Sequence, residues 1–208
     1  MRIPVRLSPV HAPDSRRAGI TFGVPFADGA LLAGTALRAV TASGKVLPVQ
    51  TSTLATWQAD QRFTRWLLAD LQAHPAEDGE QLWLEPVGPE AVAPAPEMAI
   101  SHTSANGRLT VDTGALRLHL RTGDDLWRRG VDDSPFAGCE LRTASGWREL
   151  WQDPGLLLYM TDQQGRQYTS LGGHPRPRVV IEEAGPLRTC VLITGHLSSA
   201  DGLRFCPY

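Results

Sequence analysis

Between Ile20 and Leu31 the chain reads ITFGVPFADGAL, with Ile20, Phe22, Val24 and Phe26 on every second position and Thr21, Gly23 and Pro25 between them. That period of two predicts a strand with one buried face. Pro25 cannot donate to a ladder, so the strand lies at an edge or ends there, and Asp28-Gly29 supplies the next turn. Upstream, Ile3, Val5 and Leu7 alternate as a first strand. Downstream, TASGKVLPVQ places Ser43-Gly44 between two apolar segments as a two-residue hairpin turn, and Thr51 to Trp57 continues the second arm.

Arg65 to Gln72, RWLLADLQ, is apolar on both faces, as for a strand covered on both sides. A short helix is the rival for so brief a run. Strand is preferred because QLWLEPV, Gln81 to Val87, alternates Leu82 and Leu84 with Trp83 and Glu85 and pairs with it to close a small barrel. VGPEAVAPAP then has three prolines and the composition of a semi-rigid linker. These features divide the chain into a barrel at 1–88, a linker at 89–99 and a hairpin-rich domain at 100–208.

In that second part Asn106-Gly107 is a strong hairpin signal, Leu116, Leu118 and Leu120 alternate with Arg117 and His119, and Asp112 to Gly114 makes the turn between. Ser145-Gly146, Gln164-Gly165 and Asp201-Gly202 mark further turns, spaced as in an antiparallel sandwich. The final strand, begun at FCPY, would leave a sheet edge unpaired, which predicts a truncated sandwich. The fold class expected is all-β: a small barrel followed by an incomplete antiparallel β-sandwich.

Composition narrows the chemistry. Glycine (20) and proline (16) are spread along all 208 residues, and no apolar helical period lasts three turns. The net charge of −2 and the lack of a basic run argue against nucleic acid and against electrostatic attraction to membranes. Neither an apolar leader segment nor a run of roughly 18 apolar residues is present, so a cytoplasmic protein is expected as written, or a secreted one if the start is incorrect. Cys139, Cys190 and Cys206 lack metal-ligand spacing and are read as buried thiols, with neither a metal nor another cofactor expected.

Three stretches, ITFGVPFADGAL at 20–31, GKVLPVQ at 44–50 and WQADQRFTRWLLADLQ at 57–72, resemble the opening of the exo-rhamnogalacturonan lyase and YetA-like family. There a RIFT-type barrel carries tFGVPFpkGal, a G-x-x-v-PvQ hairpin and W-x-DGSvRWlLldf. The Asp-Gly turn of the third motif is replaced here by Asp60, Gln61, Arg62 and Phe63. RVVIEEAGPLRTCVLITGHL at 178–197 is similar to a strand pair of the family's central sandwich. The resemblance implies a barrel, a sandwich and a C-terminal α/α-toroid that this sequence lacks and that would hold the catalytic residues. It implies β-elimination on rhamnogalacturonan or related uronate glycans, so the expected partner is an acidic plant-type polysaccharide or oligosaccharide.

Proton abstraction from a uronate needs a base, a group that stabilises the carboxylate as it becomes enolate-like, and an acid for the leaving oxygen. His174 in GGHPRPR, with Arg176 and Arg178, is the cluster that combines a titratable base with cations; its ordinary alternative is a solvated basic loop. Trp147 and Trp151 are the candidate sugar-stacking platforms, while Trp66 and Trp83, flanked by leucines, are expected in the core. Lys45 reads as an exposed turn lysine, and His119 and His196 as surface or satisfied histidines. The chain alone is expected to act as scaffold for a lyase-like protein; the alternative is a non-catalytic carbohydrate-binding or interaction module.

Overall fold

A computed structural model describes residues 1–7, 18–57, 60–88, 94–122, 134–151, 158–170 and 177–208. Among the described residues the regular structure is antiparallel strand apart from one helical turn, Pro75–Asp78. Two compact units result: Met1–Glu97 with Pro186–Arg188, and Met98–Gly185 with Thr189–Tyr208.

The first unit is built from two sheets. One has the order β1 (Ile3–Arg6), β7 (Gln81–Pro86), β3 (Leu37–Thr41), β4 (Val46–Leu47); the other is β2 (Ala18–Pro25), β6 (Thr64–Ala73), β5 (Val49–Thr56). The alternation of β2 is realised as read: Val24 and Phe26 are buried, Ile20 and Phe22 pack against the same core, and Gly23 and Pro25 face out. Leu47, Leu71, Leu82 and Leu84 are its fully buried leucines. β6 is a strand and not a helix. Its second half is covered on both faces because Asp70, on the face away from the core, is also buried.

β7 does not pair with β6, the pairing expected from sequence: it pairs with β1 and β3, and β6 with β2 and β5. Three further local readings need correction. The β3–β4 connection is a three-residue loop, since Thr41 and Lys45 still pair (Thr41 N to Lys45 O, 2.9 Å) and Gly44 takes the left-handed φ of 86° that closes it. Trp66 is not a core residue: it is 43% exposed, lying beside Gly23, where a Cβ would stand 3.4 Å from its ring. Trp83 is half-buried with the Arg2 guanidinium 4.3 Å above its ring. At the substituted turn Gln61 adopts φ 57°, the conformation a glycine there takes without penalty.

The second unit contains a five-stranded sheet in the order β12 (Gly146–Trp151), β11 (Phe136–Thr143), β10 (Leu116–Arg121), β9 (Arg108–Asp112), β8 (Ser101–Ala105). Asn106 and Gly107 both have positive φ (51° and 69°), which lets a two-residue loop follow the strand twist between β8 and β9. One face of this sheet, with Leu109, Val111, Leu118 and Leu120, packs on Val179, Ile181, Val191 and Ile193 of the hairpin β15 (Arg178–Glu183) and β16 (Cys190–Thr194). That is sheet-on-sheet packing. A four-stranded sheet, β13 (Tyr159–Thr161), β14 (Gln167–Thr169), β17 (His196–Ser198), β18 (Arg204–Pro207), uses the Gln164-Gly165 and Asp201-Gly202 turns. Among the described residues, no helix is long and apolar enough to cross a membrane.

Candidate functional site

Because β9, β10, β11 and β12 pair in register, the residues between the core leucines share one outward face: Arg108, Thr110 and Asp112; Arg117, His119 and Arg121; Glu140 and Arg142; Trp147 and Glu149. Its register is set at the turn, where Gly114 (φ 79°) donates its amide to Asp112 Oδ1 at 2.7 Å. Arg117 then reaches three neighbours. Its Nε donates to Asp112 Oδ2 at 2.7 Å, its Nη1 lies 4.0 Å from Glu140 Oε2, and its guanidinium sits 3.9 Å above the Trp147 ring. Planarity suits it to bond a carboxylate at its edge while stacking on an indole by its face.

His119 joins this array by both ring nitrogens. Nε2 lies 3.1 Å from Glu140 Oε2 and Nδ1 2.9 Å from Thr110 Oγ1. A carboxylate only accepts, so Nε2 donates to Glu140, and in the neutral ring Nδ1 accepts from the threonine hydroxyl. Burial raises the Asp112 pKa, but the Arg117 bond, the Gly114 amide and the charges of Arg117 and Arg142 outweigh it and hold the carboxyl below its ordinary value. The imidazole and both carboxylates are thus engaged with one another, and the array is a preorganised, charged surface in which no ring nitrogen of His119 stands open as a base.

At the β8–β9 end the same face opens into a groove of about 380 Å³ lined by Thr103, Ala105, Asn106, Arg108 and Thr110. A second groove of about 400 Å³ on the first unit is lined by Ala33, Gly34, Thr53, Leu54, Ala55, Thr56 and Gln61, which bring no ionisable side chain. Among the described residues no group of three or more His, Cys, Asp or Glu is placed to hold a metal ion.

The residues singled out from sequence are described only in part. His174 and Arg176 lie outside the described residues, and Arg178 is the exposed first residue of β15, opposite Thr194. Trp147 lies under Arg117, and Trp151 packs edge-on against Phe136 at 6.3 Å, so the two do not form one platform. Lys45 is no simple solvated lysine: its Nζ lies 2.6 Å from the buried Asp78 Oδ1, whose other oxygen accepts the His74 amide at 2.8 Å. Set aside as satisfied, His119 is indeed satisfied, yet it stands at the centre of the polar array. The signal was its alternation with Arg117 against three leucines; its partner Glu140, 21 residues on, has no local signature.

The first unit has its own polar row, with the buried Asp70 at its centre. Thr21, Asp70 and Gln50 are cross-strand neighbours on β2, β6 and β5. Thr21 Oγ1 donates to Asp70 Oδ1 at 2.6 Å, and Arg188 Nε donates to Asp70 Oδ2 at 2.9 Å. Gln50 Oε1 accepts the Leu187 and Arg188 amides at 3.0 and 3.1 Å, while its Nε2 donates to Arg188 O at 3.1 Å. One residue from each of the four motif stretches therefore meets in a single network.

With both regions in view, the comparison with known families can be placed. Residues 4–67 match the family model of the PcRGLX-like N-terminal RIFT barrel domain. The match to the PcRGLX-like domain runs from β1 into β6, and with the sheets described above it identifies the first unit as a RIFT barrel. It supports the PcRGLX-like family at the coarse level of this domain. No curated protein matches the chain.

Proposed function

We propose that this chain is the N-terminal scaffold portion of an exo-acting, YetA-like polysaccharide lyase that cleaves rhamnogalacturonan or a related uronate glycan by β-elimination. The observation that carries the reading is the match of residues 4–67 to the PcRGLX-like barrel domain. The four motif stretches support it, because they converge on the Thr21, Gln50, Asp70 and Arg188 network instead of on a catalytic pair. His119 also supports the scaffold role: both ring nitrogens are engaged, whereas a general base must be able to reach a substrate proton.

The test compares two proteins on rhamnogalacturonan oligomers, following the ultraviolet absorbance of unsaturated uronate. One is the 208-residue chain, and the other is the product of the whole reading frame from which it comes. Turnover by the whole product and none by the 208-residue chain is expected. Turnover by the 208-residue chain refutes the scaffold assignment, and inactivity of both on every uronate glycan refutes the lyase assignment.

A second reading, a non-catalytic carbohydrate-binding module, is favoured by the open polar sheet face and its groove. It predicts glycan binding without turnover in either protein.

A further inference from the structure

The groove at the β8–β9 end differs electrostatically from the array beside it. Asp112 and Glu140 are committed to Arg117 and His119. Among the described residues that line the groove the ionisable one is Arg108, exposed to solvent, and the residue directly across the ladder from it is Arg121. Arg121 is held in place by donating Nη1 to the carbonyls of Ser134 and Phe136. A guanidinium exposed at the groove can bond a carboxylate by two parallel N–H donors.

The rest of the lining is chemistry for hydroxyl groups: the Thr103 and Thr110 hydroxyls and the Asn106 side-chain amide. Asn106 is carried on a tight turn with positive φ, so its backbone is already ordered at the groove. The volume falls within the roughly 300–1,000 Å³ of small-ligand sites. We infer that this groove is a binding subsite for a carboxylate-bearing sugar, with Arg108 taking the carboxylate and Thr103, Asn106 and Thr110 taking ring hydroxyls. The inference deepens the glycan reading above and rests on it for the choice of sugar. It places recognition on a sheet face of the second unit.

Calorimetry on the 208-residue chain with three probes tests it: tri-galacturonate, the same trimer with its carboxyls reduced, and inorganic phosphate. Tri-galacturonate binds and weakens as salt is raised. The reduced trimer and Arg108→Ala each lower affinity by about tenfold, the scale of one charge-assisted hydrogen bond. Arg108→Ala leaves thermal stability essentially unchanged, because the side chain is exposed. Equal affinity for the two trimers, indifference to Arg108→Ala, phosphate binding as tight as the trimer, or no binding at all overturns the subsite. The uronate-release assay is independent of these results: a lyase-active whole protein whose groove ignores tri-galacturonate loses the subsite and keeps the lyase assignment.

Discussion

Asp70–Arg188 in the first unit and Asp112–Arg117 on the outward sheet face are the same pair of groups at nearly the same distance, 2.9 and 2.7 Å. Their surroundings differ. The Asp70 side chain is 5% exposed and that of its partner Arg188 24%, whereas Asp112 and Arg117 are 24% and 34% exposed, so the contrast lies in the buried carboxylate. Desolvation, not distance, sets what such a pair is worth. A buried pair roughly balances its own desolvation and is costly only when one partner is removed, while a solvated pair competes with water throughout. The buried pair therefore fixes where chain segments lie, and the solvated one arranges charge on a surface open to ligands.

The widest gap between the two regions should appear on truncation. Asp70→Ala removes the acceptor of both Thr21 and Arg188 and is expected to cost about 3 kcal/mol in urea unfolding, the scale of hydrogen bonds to a charged group. A loss below about 1 kcal/mol would erase the distinction. Leu84→Ala in the barrel and Leu120→Ala in the five-stranded sheet remove fully buried leucines, at about 2–5 kcal/mol each. Similar losses would show that the two interiors are packed alike and that only their polar pairs differ.

Asp112→Ala should cost about 1 kcal/mol or less. Its pH dependence has a definite sign. The folded-state pKa lies below the ordinary 3.8, so the folded protein prefers the ionised form. The resulting stability is present above the unfolded value and lost as pH falls through the lowered folded value. Acid titration of stability below about pH 4 should accordingly be shallower for Asp112→Asn than for the parent protein. An unchanged slope would detach Asp112 from the array. The smallest effect is a gain: Gln61→Gly relieves a left-handed residue and should stabilise the barrel by about 0.5–1 kcal/mol, and a loss would show that the turn exacts no strain from Gln61.

The likeness of the two interiors was legible in the sequence. Strand positions 20–26, 81–86 and 116–121 follow from alternation, and the Asn106-Gly107 turn follows from its dipeptide. The leucine-rich run at 65–72 was misread in part: Trp66 looked apolar and buried, but with Gly23 and Pro25 on the neighbouring strand it lies on an outward surface. At the candidate site the alternation of Arg117 and His119 was visible; the choice of His174, Arg176 and Arg178 rested on clustering in sequence, and His174 and Arg176 lie outside the described residues. The array that the structure builds takes its members from four strands.

By itself, then, the amino-acid sequence determined the β class, most turns and which faces are apolar, and it pointed to the RIFT barrel that the family match identifies. These properties are local: side chains alternate every two residues, and turn conformations depend on one or two. Only the tertiary structure decided which polar groups meet. Thr21 and Asp70 are 49 residues apart, Asp70 and Arg188 118, and Gln50 and Arg188 138. Such meetings depend on strand order and register, where a shift of one residue sends every side chain to the opposite face. The spacing of two residues along a chain carries no record of that choice.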